Sequence, residues 1–300
     1  MHEIKIGTLI GADNIKKVMP KLVPYGFETF SITFWETTGG WDLELLAKEV
    51  EEILEGTDCC ISSICVYGNP LLDTEKGKET RKSWERLIDA ADLFGADIVA
   101  GFAGRLTDQP IEKSIPKFKE VFTPLAKQAK EKGVRLAFEN CNMDGDWYRG
   151  DWNIAFSPKA WEMMFEAIPY DNLGLQWEPC HQLVQLVDPI PQLRKWADKI
   201  FTIHGKDATI AWDIIKEKGI CGNDTYVWHR TPGFGDTNWT DVISILRMAG
   251  YKGSIDIEGW HDPVYRGELE YTGQVHALNY LKNCRGGEFV PNYESEETCI

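Results

Sequence analysis

Eight apolar, β-branched segments recur about every thirty residues along this 300-residue chain, and amphipathic segments of helical period separate them. The candidate strands are 3–10, 26–33, 59–68, 96–104, 134–140, 173–179, 199–206 and 253–260. Between them run stretches such as WDLELLAKEVEEILEG and KETRKSWERLIDAADLFGA, with apolar residues at i, i+3, i+4 and i+7. Gly26, Gly95, Gly133 and Gly253 stand before strands, where a glycine suits the stop of the preceding helix. Strand then helix, eight times over, predicts an α/β fold: a single (β/α)8 barrel (a TIM barrel) with its active site at the C-terminal ends of the strands. An open doubly wound sheet is the competitor, and no Gly-x-Gly-x-x-Gly follows the first strand to support it. The barrel is expected over 1–285, with an acidic C-terminal extension over 286–300.

Charge narrows the partners. A formal net charge of -15 argues against a polyanionic ligand, so neither nucleic acid nor an anionic membrane surface is expected. No run approaches the length of a membrane-spanning helix. The start, MHEIKIGTLIG, carries charge within its apolar stretch and reads as a first strand, not a signal peptide. None of the eight cysteines stands as Cys-x-x-Cys, which fits reduced thiols and a cytoplasmic location.

Four of the predicted strands end in groups able to bind a metal: Glu139 in VRLAFEN, Glu178 in LGLQWEP, His204 in IFTIHGKD and Glu258 in SIDIEGW. In a barrel these ends share one rim. Three carboxylates buried together without a cation would be costly, and a divalent ion removes that cost. Oxygen-rich ligation with one imidazole favours Mn2+, then Mg2+ or Co2+. The segments 141–156 and 207–238 are expected as loops on the same face.

These residues carry a resemblance. The chain resembles the xylose-isomerase-like TIM-barrel superfamily, in its sugar (phosphate) isomerase/epimerase branch, over nearly its whole length. The matching pieces are Phe138-Glu139-Asn140, Glu178-Pro179-Cys180-His181, His204-Gly205-Lys206-Asp207, Gly233-Phe234-Gly235-Asp236 leading to Trp239, and Glu258 followed by His261-Asp262-Pro263. The resemblance implies metal ligands at Glu139, Glu178, His204 and Glu258, with Glu178 standing where the family has Asp. It further implies that Glu139 and Glu258 are the acid/base pair, moving the proton next to a carbonyl that the metal polarises, through a metal-stabilised enediolate. By the same resemblance His181 would meet a substrate oxygen and Lys206 would orient a ligand or the substrate. His229 and Arg230, in the loop before Gly233, are further candidates for holding substrate hydroxyls.

Trp35, Trp147, Trp152, Trp177, Trp212, Trp228, Trp239 and Trp260 fall after strand ends and are expected to crowd the rim; Trp177 and Trp260 are the substrate-binding candidates among them. Trp84, Trp161 and Trp196 lie in helical segments and suit core packing. Aromatic rings and the lack of a glycine-rich phosphate nest point to an unphosphorylated substrate. The leading expectation is a divalent-metal-dependent isomerase or epimerase of a keto sugar. The alternative is elimination after the same α-proton abstraction, as in the large subunit of C-glycoside deglycosidases, a lyase acting on 3-keto C-glycosides with an aromatic aglycone. The first leaves a homo-oligomer open; the second calls for a small β-rich partner subunit. Apurinic endonucleases share the superfamily, but strands three and four here end in Val-Tyr-Gly and Phe-Ala-Gly, without their histidines.

Overall fold

The structure, a computed structural model, describes residues 4–287 and 290. Ten strands occur in it: β1 Lys5–Gly11, β2 Thr29–Trp35, β3 Cys60–Tyr67, β4 Ile98–Gly101, β5 Arg135–Glu139, β6 Leu173–Trp177, β7 Ile200–Gly205, β8 Asp207–Ile210, β9 Val227–Arg230 and β10 Ser254–Ile257. Eight of them form a closed, all-parallel barrel in the order β1-β2-β3-β4-β5-β6-β7-β10, with β10 pairing back onto β1 through Ile6 opposite Ile255 and Thr8 opposite Ile257. Helices lie between successive strands, so the fold is the expected (β/α)8 barrel.

The apolar runs are continuous because each strand is covered on both faces. On the outer face, Phe138 of β5 meets Phe118 and Phe122 from helix Ile111–Glu131 and Trp84 from helix Glu75–Ala90, with the Phe122 and Phe138 rings edge-to-face at 4.9 Å. Trp161 is fully buried and packs edge-to-face on Trp196. Inside the barrel the lower layer is polar. Asp256 accepts from Thr29 Oγ1 at 2.6 Å, Ser62 Oγ at 2.8 Å and Ser254 Oγ at 2.6 Å.

Helix ends follow local rules. Asp42 and Thr74 cap their helices by accepting from Leu45 N and Gly77 N. Gly26, Gly95 and Gly133 take left-handed backbone at φ 88°, 64° and 71°, as expected of helix stops. Gly253 does not; the stop after helix Trp239–Met248 is Gly250, at φ 76°.

The segment 207–238 is not a plain loop. Asp207–Ile210 and Val227–Arg230 pair antiparallel, with Asp207 opposite Arg230, and helix Trp212–Lys218 lies between them. Among the described residues seven cysteines are free, and no helix is long and apolar enough to cross a membrane. The acidic extension expected at 286–300 lies almost wholly outside the described residues.

Candidate metal centre and its cavity

Side chains alternate along a strand, so every second residue enters the barrel. In β6 the inward residues are Gln176 and then Glu178; in β7 they are Thr202, His204 and then Lys206. Glu139 ends β5 and Glu258 follows β10 on the same parity. The four residues Glu139, Glu178, His204 and Glu258 each present a ligand atom, and all four atoms lie within 4.8 Å of one another. All four residues are buried.

Their hydrogen bonding is incomplete. Both carboxylate oxygens of Glu178 and Nδ1 of His204 are buried without a hydrogen bond. His181 Nε2 comes within 2.9 Å of Glu178 Oε2, and Lys206 Nζ within 3.3 Å of Oε1, but neither approach has hydrogen-bond geometry. His204 Nδ1 likewise lies 3.1 Å from Glu258 Oε2. Orphaned buried acceptors are expensive, and a shared cation is the standard way to satisfy several at once. The donor set of three carboxylates and an imidazole therefore fits a hard or borderline divalent ion.

The acids cannot all ionise side by side without such an ion. Burial, reinforced by Glu178 and Glu258, pushes Glu139 up to about 8 despite the pull of His204. Burial opposes ionisation of Glu178 as well, yet His181 and Lys206 bring it down to about 2. Glu258 is also buried but is held well below the usual range by Lys206 and His204. His204, despite burial, rises to about 10 beside Glu258 and Glu139. His229 moves the other way, to about 3, through burial and the nearby charges of Lys206 and His181.

His204 is also held from behind: Tyr67 Oη lies 3.4 Å from its Nε2 and donates to Gln176 Oε1 at 2.8 Å. That contact leaves Nδ1 as the nitrogen facing the carboxylates.

Above the centre opens a cavity of about 480 Å3. Glu139, Glu258, His181, His204, Lys206, His229 and Trp260 line it; Glu178 does not, and forms part of the floor beneath. Two proposed substrate contacts lie elsewhere. Trp177 is fully buried in the core outside the barrel and donates from Nε1 to Gln182 Oε1, because strand parity cannot point both Trp177 and Glu178 inward. Arg230 turns away from the cavity and pairs with Asp262 at 3.1 Å, while its neighbour His229 faces in.

Other rim tryptophans also differ from expectation. Trp239 is fully buried, donating to Asp207 Oδ2 at 3.0 Å. Trp147 bonds Glu112, and Trp212 and Trp228 are partly exposed without lining the cavity. Trp35 does line it, and Trp152 packs against Trp35 at 5.6 Å. Two cavity residues had no role assigned from the sequence: Tyr67, and His261, which was named only as part of the motif after Glu258. Tyr67 is the last residue of β3 and obeys the same strand-end rule as the acids. His261 follows Glu258 by three residues, and its Nε2 sits 3.1 Å from Glu258 Oε1.

Known proteins share this architecture. The family described as xylose isomerase-like TIM barrel matches residues 20–284. An inosose dehydratase of Clostridium tetani is 26% identical over 253 residues, spanning 78% of this chain and 80% of its own. Among solved structures, a 3-keto-D-glucoside 4-epimerase from E. coli superposes with a TM-score of 0.69 at 17% identity, covering 94% of this chain and all of that one. An IolI protein with a bound zinc atom superposes with a TM-score of 0.63 at 18% identity, covering 93% and 96%.

Proposed function

The chain belongs to the xylose isomerase-like TIM-barrel family, and from that premise we propose that it is a divalent-metal-dependent isomerase or epimerase of an unphosphorylated keto sugar. One observation carries the reading: Glu139, Glu178, His204 and Glu258 converge within 4.8 Å beneath an open cavity, with both Glu178 oxygens buried and unbonded. The zinc atom in the IolI neighbour supports a divalent ion, with Mn2+ our choice for this donor set.

The four residues divide by exposure to the cavity. Glu178, sealed beneath it, serves only to hold the ion. Glu139 and Glu258 face the cavity from β5 and from the end of β10, three strand positions apart around an eight-stranded ring. A flat sugar placed between them is flanked by two carboxyl groups. Glu258 takes the proton next to the carbonyl, or Glu139 does in the opposite direction, and the partner returns one to the other face. A bound divalent ion supplies a Lewis acid that polarises the carbonyl oxygen and so acidifies that proton.

The remaining polar groups position the substrate. His181 and His229 offer ring nitrogens to hydroxyls, and Lys206 fixes the Glu258 carboxylate by donating to Oε1 at 2.8 Å. Among the described residues no arginine lines the cavity and one lysine does, engaged by two carboxylates, which favours an uncharged substrate.

Elimination is the second reading, since the same proton removal expels a group one carbon further on. The dehydratase relative and the two tryptophans that line the cavity, Trp35 and Trp260, favour it. NMR of ketoses and 3-keto glucosides incubated with Mn2+-supplied protein tests both. Stereochemical inversion next to the carbonyl, lost on chelation and restored by Mn2+, supports the first; release of a substituent without inversion supports the second. No conversion of either substrate class would remove both.

A further inference from the structure

Just past the end of β5 the chain brings a thiol to the same rim as Glu139. Cys141 lines the cavity and packs in one cluster with Tyr67, Phe102 and Ala137. Glu139, Cys141 and His181 each present one ligand atom, and these three atoms lie within 4.8 Å of one another. Glu139 is the one residue this group shares with the four-residue centre.

The backbone around the group is tied down. Asn153 Nδ2 donates to the carbonyls of both Glu139 and Cys141, at 2.7 and 2.8 Å. Asn140 Nδ2 donates to Glu178 O at 2.9 Å, joining the end of β5 to the start of helix Pro179–Val184, which carries His181. His181 is 3% exposed and lines the cavity, yet neither ring nitrogen has a hydrogen bond. A buried imidazole without partners is costly, and a cation at this point would supply one.

The two groups differ in donor chemistry. Three carboxylates and an imidazole suit a hard or borderline ion, whereas a thiolate, an imidazole and a carboxylate suit zinc, with water as fourth ligand. We propose that Glu139, Cys141 and His181 form a second, zinc-selective site, and that zinc there inhibits the reaction by taking the second oxygen of Glu139. Binding forms a Zn–S bond and releases the thiol proton to solvent, with no change of oxidation state. A Glu139 carboxylate that bridges two ions no longer has an oxygen free to carry the substrate proton. The inhibition rests on the proposed role of Glu139; the site itself does not. Glu178, Cys180 and His181 also come within reach of one another, but Glu178 and Cys180 are fully buried and do not line the cavity, so that group lacks an open position for water.

Adding Zn2+ to the Mn2+-loaded full chain tests it, with bound metals counted by mass spectrometry after gel filtration. The protein should keep its Mn2+ and gain a second ion, and Co2+ in place of Zn2+ should give a sulfur-to-metal charge-transfer band. Cys141→Ser should lose the band and weaken the second ion by more than the ~10–100-fold of a lost supporting contact; Cys180→Ala should keep both. Zn2+, but not Mn2+ alone, should also shield Cys141 from iodoacetamide in the parent protein, which decides the matter even if the variant fails to fold. Zn2+ that merely replaces Mn2+, a second ion or band untouched by Cys141→Ser, or an unshielded Cys141 would overturn the site. Hydrogen exchange on ketoses is read separately. Zn2+ should slow it in the parent by about 10-fold or more, a barrier change of about 1.4 kcal/mol, and should slow Cys141→Ser less relative to its own zinc-free rate. Zinc bound through Cys141 with exchange undiminished overturns the inhibition alone. A parent that exchanges no proton even without zinc sinks the proposed reaction, and the metal counts still decide the site.

Discussion

Lys206 donates from Nζ to Oε1 of Glu258 at 2.8 Å, and both side chains are buried. A buried charge pair is weak evidence of net stability, but removing one partner strands the other. Lys206→Met should therefore destabilise the metal-free protein by about 3–5 kcal/mol, and Mn2+ should recover most of that loss by neutralising Glu178 and Glu258 instead. Thermal unfolding with and without Mn2+ reads both effects. A variant as stable as the parent without metal would show that the pair is not fixed as described.

The centre should also titrate in a particular direction. Glu139 lies at about 8 against an ordinary 4.5, and His204 at about 10 against 6.5. Each raised value means the fold binds the proton more tightly than the unfolded chain does. Each group thus contributes stability that is full below its ordinary value and lost as pH rises through its folded value. The lowered value of His229, about 3 against 6.5, offsets Glu139 below pH 6.5, so metal-free protein should lose stability from about pH 6.5 to 10, while metal-loaded protein should respond less. Ligation displaces both protons, so uptake near pH 7 should release roughly two and tighten as pH rises. Calorimetry in buffers of different ionisation heat counts them; uptake with no release would contradict this.

Tyr67 should act on a bound metal through His204. Losing the hydroxyl in Tyr67→Phe frees the His204 ring from the group 3.4 Å from its Nε2 and leaves Gln176 Oε1 without its donor. Metal affinity should fall by about 10–100-fold, the usual effect of removing such a supporting contact. An unchanged metal dissociation constant would mean that Tyr67 only shapes the cavity.

Glu178 should be separable from the chemistry because it does not reach the cavity. Glu178→Gln should weaken metal binding by more than the ~10–100-fold expected for a supporting contact, and saturating Mn2+ should restore much of the turnover. Glu178→Asp keeps the charge but draws it back by about one C–C bond, and should lie between the two. Turnover that stays lost at saturating metal would assign Glu178 a role beyond ligation.

Period and parity made the barrel and the convergence of Glu139, Glu178, His204 and Glu258 legible, since a parallel strand sealed on both faces leaves an unbroken apolar run with its chemistry at the end. Parity applied one step further would have moved Trp177 into the core, because Glu178 already occupied the inward position. Trp239 could not be placed this way, as its burial depends on Asp207, thirty-two residues away in the chain. The β8–β9 pair was hidden for a similar reason: two four-residue strands of mixed polarity carry no periodic signal, and a helical insertion separates them. Tyr67 escaped notice because a phenol at a strand end signals no metal chemistry until the fold sets it behind His204.

The central claim is that Glu139 and Glu258 move a proton next to a carbonyl at a metal centre. Incubation of Mn2+-supplied protein with ketoses and 3-keto glucosides in D2O, read by NMR, tests it most directly. Deuterium should enter at the carbon beside the carbonyl, and Glu139→Gln and Glu258→Gln should each slow entry by about 100-fold or more while metal remains bound. Deuterium entry at the parental rate in both variants, or none with the parent protein, would contradict the account.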